Sequence, residues 1–181
     1  MKLLFFSGSN REYSLNFALC NLLSTVLKEK HSNVICDVLD LKKYTIPMYN
    51  GDIESNAGIP KSINDISKLL DDYDGFCIAS PEYNGFFSPF LKNIIDWLTR
   101  INKSILDGKI CFLSSISPSS LGGQRGLLYL NILLNNLGCI VFPHKISIHS
   151  TFEHDDVTEN ILTSLHKKHI DDFIKFLSSN I

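Results

Sequence analysis

The sequence predicts a three-layer α/β sandwich built on one five-stranded parallel sheet in the order 2-1-3-4-5. Three observations carry that expectation. Five short runs, KLLFFS (2–7), NVICDVLD (33–40), GFCIAS (75–80), KICFLSS (109–115) and GCIVFP (138–143), are rich in apolar and β-branched residues and bounded by turn formers. That is the pattern of strands covered on both faces. Helical spacing appears between them, and strands alternating with helices make parallel βαβ units. The length, 181 residues with 44% hydrophobic and 20% charged side chains, suits a single domain spanning 1–181 with a sizeable core. Right-handed crossovers then leave few topologies open.

The elements follow in order. After the first strand, Leu15, Ala18, Leu19, Leu22, Leu23 and Val26 repeat at three and four, the stripe of a buried helix. Tyr44 to Ile59 is long and irregular, and reads as a mobile flap. Leu91, Ile94, Ile95 and Leu98 mark a second helix, and Leu127, Leu130, Leu134 and Leu137 a third. In the second, Trp97 belongs to core or subunit packing, and Lys92 and Asp96, four apart, form a surface pair worth about 0.3 kcal/mol. Leu162, Leu165, Ile170, Phe173 and Leu177 make a closing amphipathic helix, with Asp155, Asp156 and Glu159 near its start and Lys175 late.

Composition excludes several function classes. A net charge of −2 and no run of like charges leave no electrostatic footprint for nucleic acid. LLFF after Lys2 is too short for a secretion signal and no later run approaches a membrane span, so the expectation is a cytoplasmic protein. Five widely spaced cysteines without C-x-x-C read as small buried hydrophobes, not a disulfide or zinc framework. His144, His149 and His154 lie near Asp155 and Asp156, but their spacing matches no metal-ligand motif, and a solvated loop is the expectation. His166 and His169, beside Lys167 and Lys168, read as a polar helix face. No loop offers a nucleophile with its base.

In an open parallel sheet, ligands bind beyond the carboxyl ends of the strands, which directs attention to Ser7–Asn16, Ser80–Pro89 and Ser114–Gly123. With Ser14 as N-cap, a capping box would need Glu or Gln at position 17, where Phe17 stands, so the orphan N–H groups of the first turn stay available. The hydroxyls of Ser7, Ser9 and Ser14, the small Gly8 and the forked donor of Arg11 suit an anion at that helix start, with Glu12 turned to solvent. Composition alone leaves a solvated turn equally open. A G-x-x-x-x-G-K-[ST] loop and a G-x-G-x-x-G fingerprint are absent here, and the acidic residues of a phosphoacceptor site do not follow the first strand.

GSNREYSLN matches G-S-x-R-x-x-S-x-N, SPEYNG followed by LKNIIDWLTR matches P-E-Y-N-G-x5-L-K-N-x-x-D-W-[LI], and SPSSLGGQRG matches S-P-x-x-x-G-G-x-R. Together these resemble the NAD(P)H-dependent FMN reductase family, a flavodoxin-like group that includes chromate, quinone and azo reductases. The resemblance runs from the first strand to about Pro143. It implies that Ser9, Arg11, Ser14 and Asn16, with the Leu15 amide, hold an FMN phosphate. Pro81, Glu82, Tyr83, Asn84 and Gly85 would line the isoalloxazine ring, although the same residues also favour a plain β-turn. Ser117, Gly122 and Gly123 would close the other side, and Arg125 would be structural or at a subunit contact. Phe86 and Phe87 depart from the family pattern of a small residue before Pro-Gly, which bears on substrate breadth.

The implied activity is transfer of hydride from NAD(P)H through FMN to a quinone, azo compound, free flavin or similar small acceptor. No catalytic side chain and no metal are implied, and a homodimer or homotetramer is. The alternatives are a non-enzymatic flavodoxin-type electron carrier, for which −2 is a weak charge, and a flavin-free sensing domain.

Overall fold

The computed structural model describes residues 1–150 and 153–180, apart from the side chain of Asp155. The central sheet holds β1 (Lys2–Ser7), β2 (Ile35–Leu39), β3 (Gly75–Ala79), β6 (Ile110–Ser117), β7 (Ile140–Val141) and β8 (Ile146–His149). Its order is β2-β1-β3-β6-β7, with β8 also on β6, and every pairing is parallel. The expected flavodoxin-like order is therefore present. Two short strands, β4 (Glu82–Tyr83) and β5 (Phe86–Phe87), form a separate antiparallel hairpin.

Strand alternation builds two cores from one set of residues. Leu3 and Phe5 of β1, Cys77 and Ala79 of β3, and Phe112 and Ile116 of β6 pack with α1 (Leu15–Lys30) and α6 (Ser164–Asn180). Leu4 and Phe6, Phe76 and Ile78, and Cys111 and Leu113 face the other way, against α3 (Lys61–Asp71), α4 (Pro89–Ile101) and α5 (Gln124–Asn136). All five cysteines are buried and free, and burial pushes the Cys20 thiol up to about 12 and Cys36 to about 11. They serve as small hydrophobes. Lys92 and Asp96 pair at 2.6 Å as expected.

Four expectations need correction. The run 138–143 supplies the expected fifth strand but only over Ile140–Val141, where β7 pairs with Ile110 and Cys111; the chain then breaks at Pro143, which has no N–H to donate, and β8, a strand outside the expected five, adds against Ser114–Ser117. His149 therefore closes a strand, not a solvated loop. Helix α3 buries Ile63, Ile66 and Leu70, a pattern of threes and fours missing from the expected helices. The flap contains α2 (Gly51–Ala57) and is fastened to α4, because the Pro47 carbonyl accepts from Trp97 Nε1 and Asn93 Nδ2 (2.9 Å each). Arg100 adds a 2.9 Å ion pair to Glu54. Finally, α6 starts only at Ser164, so Asp156 and Glu159 lie in short 3-10 turns before it, while the Asp155 side chain is outside the described residues.

The chain runs from β1 out to β2 and returns to β3 on the opposite side of β1, so β1 and β3 flank the topological switch point. The loops after β1, β3 and β6 meet above it. Among the described residues, no helix is long and apolar enough to cross a membrane.

Candidate functional site

The first loop ends where Ser14 caps α1, its Oγ accepting from Phe17 N–H at 3.1 Å. That bond uses the hydroxyl oxygen and leaves its proton to donate. Ser9 repeats the arrangement: its Oγ accepts from Arg11 N–H at 3.3 Å, while its own N–H donates to Ser7 Oγ at 3.2 Å. Leu15 and Asn16 are the first two helical residues, whose N–H groups have no intrahelical acceptor. Arg11 is exposed and has no acidic partner among the described residues. Two hydroxyls, two amides and a guanidinium thus converge on one spot. Lys42 fastens this loop from outside, donating to the Glu12 carbonyl at 3.2 Å and lying over the Phe17 ring.

Asn16 has another task. Its Nδ2 donates to the Ile116 carbonyl (3.0 Å) and its Oδ1 accepts from Ile116 N–H (3.1 Å), so the buried amide stitches α1 to β6. Only its backbone N–H remains for a ligand. The space left by Gly8 is likewise used by protein, because a Cβ there would meet Leu91 Cβ at 3.0 Å.

The second loop is both of the things the sequence allowed, a tight turn and a wall of the crevice. Asn84 and Gly85 both have positive φ (53° and 81°) and join β4 to β5 as a two-residue type I′ hairpin. Ser88 then caps α4, accepting from Leu91 N–H at 3.0 Å and donating to the Gly8 carbonyl, which ties the first and second loops together. Glu82 turns away from the crevice floor toward α5. Its Oε2 accepts from Gly126 N–H (3.1 Å), in the first turn of that helix, and its Oε1 lies 3.3 Å from Arg125 Nη2. The carboxylate is 4% exposed and the guanidinium 58%. Glu82 acts as a remote cap for α5.

In the third loop, Ser117 Oγ accepts from Ser119 N–H at 3.2 Å, and the Ser119 carbonyl accepts from both Gly122 N–H (2.8 Å) and His149 Nδ1 (2.9 Å). Gly122 and Gly123 stand behind the wall, not in it. A Cβ on Gly122 would lie 2.6 Å from the Ile148 carbonyl carbon, and one on Gly123 would overlap the Ser115 hydroxyl. They let the loop seat on β8 and β6.

The resulting crevice has a volume of about 710 Å³ and is lined by Ser9, Arg11, Ser14, Leu15, Asn16, Pro81–Gly85, Ile116–Ser119 and Arg125. Eleven of the thirteen expected site residues are in that lining, and Gly122 and Gly123 are not. Arg125, expected to be structural or at a subunit contact, is both paired with Glu82 and facing the crevice. Ile116, Pro118 and Ser119 were not singled out, although the last two stand inside the SPSS segment already marked by motif. Lys42 and His149 fasten two of the loops and carry no local signal in the sequence.

The donor set fits a flavin mononucleotide. One end of the crevice gathers donors suited to a phosphate, and the rest is flanked by backbone and by the half-exposed ring of Tyr83. The chemistry of the donors, not a single residue type, makes the match.

Comparison with known proteins agrees. The family model described as NADPH-dependent FMN reductase matches residues 1–153. Quinone reductase of Escherichia coli is 30% identical over 135 residues, covering 74% of this chain and 69% of that protein. NAD(P)H:quinone oxidoreductase of Solanum tuberosum is 32% identical over 123 residues, 68% of this chain and 61% of its own length. Among solved structures, the flavoenzyme NAD(P)H:(acceptor) oxidoreductase FerB from Paracoccus denitrificans aligns over 99% of this chain and 98% of its own, with TM-score 0.78 and 22% identity. The NADH:FMN oxidoreductase EMOB aligns over 98% and 90%, with TM-score 0.73 and 20% identity. These two likenesses concern the fold. The chain belongs to the NADPH-dependent FMN reductase family, and is an oxidoreductase with FMN as cofactor and NAD(P)H as electron donor.

Proposed function

We propose that residues 1–181, as one domain, bind FMN in the crevice and pass reducing equivalents from NAD(P)H to a small acceptor: a quinone, an azo compound or free flavin. The observation that carries this is the convergence of unpaired donors at the start of α1. Ser9 and Ser14 hydroxyls, the Leu15 and Asn16 amides and Arg11 would hold the phosphate. Pro81–Gly85 would back the isoalloxazine ring, with Ser117–Ser119 opposite. FMN supplies the hydride-accepting chemistry when bound.

The protein's part is to orient and shield. Asn16 and Ser88 hold the first loop against β6 and the second loop, so the donors are preorganised. The crevice acid, Glu82, is committed to Gly126 and Arg125, so we assign no catalytic acid or base. The quinone reductase names of the relatives favour quinones as the acceptor class.

Beside the crevice, Phe86 stacks on Tyr129 at 4.4 Å, and these rings with Leu128 and Ile132 form an exposed apolar face continuous with Gly85. We place a second copy of the chain on that face, which makes the protein a homodimer or a larger homo-oligomer. Light scattering on Ile132→Glu checks it: the variant should be monomeric where the unaltered protein is not.

The function is tested by steady-state oxidation of NADH and NADPH by purified protein with FMN, against quinones, azo dyes and free flavin. Turnover that requires FMN and an acceptor is expected. A protein that binds no FMN and oxidises neither nicotinamide contradicts the reading, and one-electron cycling indifferent to nicotinamide would identify an electron carrier instead.

A further inference from the structure

A second cleft, of about 390 Å³, opens where the start of α5, the β7–β8 connection and the start of α6 meet. It shares no lining residue with the crevice. Its polar lining consists of Lys145, His144, His166, His169, Gln124 and Ser147, with no carboxylate. The His144 and His169 rings stack at 4.5 Å, nearly parallel at 9°. His166 Nδ1 accepts from Thr163 N–H at 3.4 Å, which leaves Nε2 to carry the proton of the neutral ring. His169 Nδ1 is buried, and the Lys145 ammonium donates to the Pro143 carbonyl at 3.3 Å and has no acidic partner among the described residues.

The neighbouring acids are already matched. Asp172 is engaged by Lys168 (2.7 Å) and Lys175 (3.5 Å), Asp171 by Lys30 (3.2 Å) and His31 (3.6 Å), and Glu159 by Lys167 (2.6 Å). Four basic groups therefore face one cleft whose lining holds no carboxylate, Asp172 nearby being held by Lys168 and Lys175. Among the described residues no set of His, Cys, Asp or Glu is arranged to hold a metal ion.

We propose that this cleft is a binding site for a phosphate-class oxyanion, with Lys145, His144, His166 and His169 as its charged or chargeable donors and Gln124 and Ser147 as neutral ones. The electrostatics agree. Burial lowers the pKa of Lys145, of His166 and of His169; His169 lowers that of His166 further, and His144 and Lys168 lower that of His169. Only the Lys145 carbonyl and Asp172 act the other way on His169. A bound dianion would reverse the balance and favour the charged forms.

The source is either free phosphate or a phosphate carried by a larger molecule, such as the ribose 2′-phosphate that distinguishes NADP+ from NAD+. The test follows histidine Cε1–H resonances of the holoprotein by NMR through mildly acidic to neutral pH, with inorganic phosphate added at constant ionic strength. The expected result is that the titration midpoints of His144, His166 and His169 rise by about half a unit or more while His31 and His154 stay put. Lys145→Ala should lose most of the response and Lys145→Arg should keep it. A response to NADP+ but not NAD+ at equal concentration assigns the site to the nucleotide phosphate. A response to inorganic phosphate alone assigns it to the free ion. Unmoved midpoints with all three probes, the same shifts in Lys145→Ala, or the same shifts at His31 and His154, overturn the proposal. Because the two sites share no lining residue, failure here leaves the flavin reading intact.

Discussion

The first loop and the hairpin after β3 contain similar polar residues and use them in opposite ways. In the first loop, Ser9 and Ser14 each accept one backbone bond and keep a hydroxyl proton free, and Arg11 faces the crevice with no acidic partner among the described residues. In the hairpin, Glu82 is consumed by α5, and Asn84 and Gly85 are there for a backbone turn. One loop presents donors; the other presents a shaped backbone. The comparison teaches that the location of a polar residue in a crevice does not tell whether it holds the ligand or the protein, and that its bonding partner does.

Substitutions can break this distinction, beginning with the largest effect. Gly122→Ala brings a Cβ to 2.6 Å from the Ile148 backbone at a φ of 58°, so the third loop must lift from β8. A loss of about 3 kcal/mol, seen as a fall in Tm of about 10 °C, is expected. An unchanged Tm would show that the loop is not seated as described. Asn16→Ala leaves both the N–H and the carbonyl of buried Ile116 without partners, for a loss of about 2 kcal/mol. Chemical denaturation should show it, with FMN affinity of the folded protein changed less than about threefold. A large affinity loss without a stability loss would move Asn16 into the ligand-holding class.

The smallest effect comes from outside both loops and serves as their reference. His166 and His169 have pKa values lowered from the ordinary 6.5, chiefly by burial. As pH falls below 6.5, the unfolded chain takes up these protons before the folded one, so stability present above that value is lost on acidification through the folded-state values. A fall in Tm of about 2 °C is expected, flattened in His169→Gln, with the two loops unaffected. A Tm that rises on acidification would contradict the burial of these rings.

Much of this architecture was legible in the sequence because β1, β3 and the first half of β6 are continuous short apolar runs bounded by turn formers, a pattern typical of parallel strands covered on both faces. The fifth strand was legible as well, though shorter than its run, while β8 was not, since it follows the break at Pro143 and alternates Ile146 and Ile148 within a stretch of histidines. Helix α3 was obscured because polar Ser62, Asn64 and Asp65 dilute its short apolar stripe. The three crevice loops were marked by their motifs. The division of labour within them was hidden, because Asn16 finds its partner 100 residues away and Glu82 finds Gly126 44 residues away. Local pattern carries no information about such bonds.

The central claim, that the start of α1 is a phosphate cradle, rests on Arg11 and its four converging donors. Fluorescence titration of FMN into the apoprotein and into Arg11→Ala tests it most directly. The variant should keep the unaltered Tm, because Arg11 is exposed and its side chain bonds nothing among the described residues, and should bind FMN at least about tenfold more weakly, or about 1.4 kcal/mol. Equal FMN affinity in the two proteins would contradict the account.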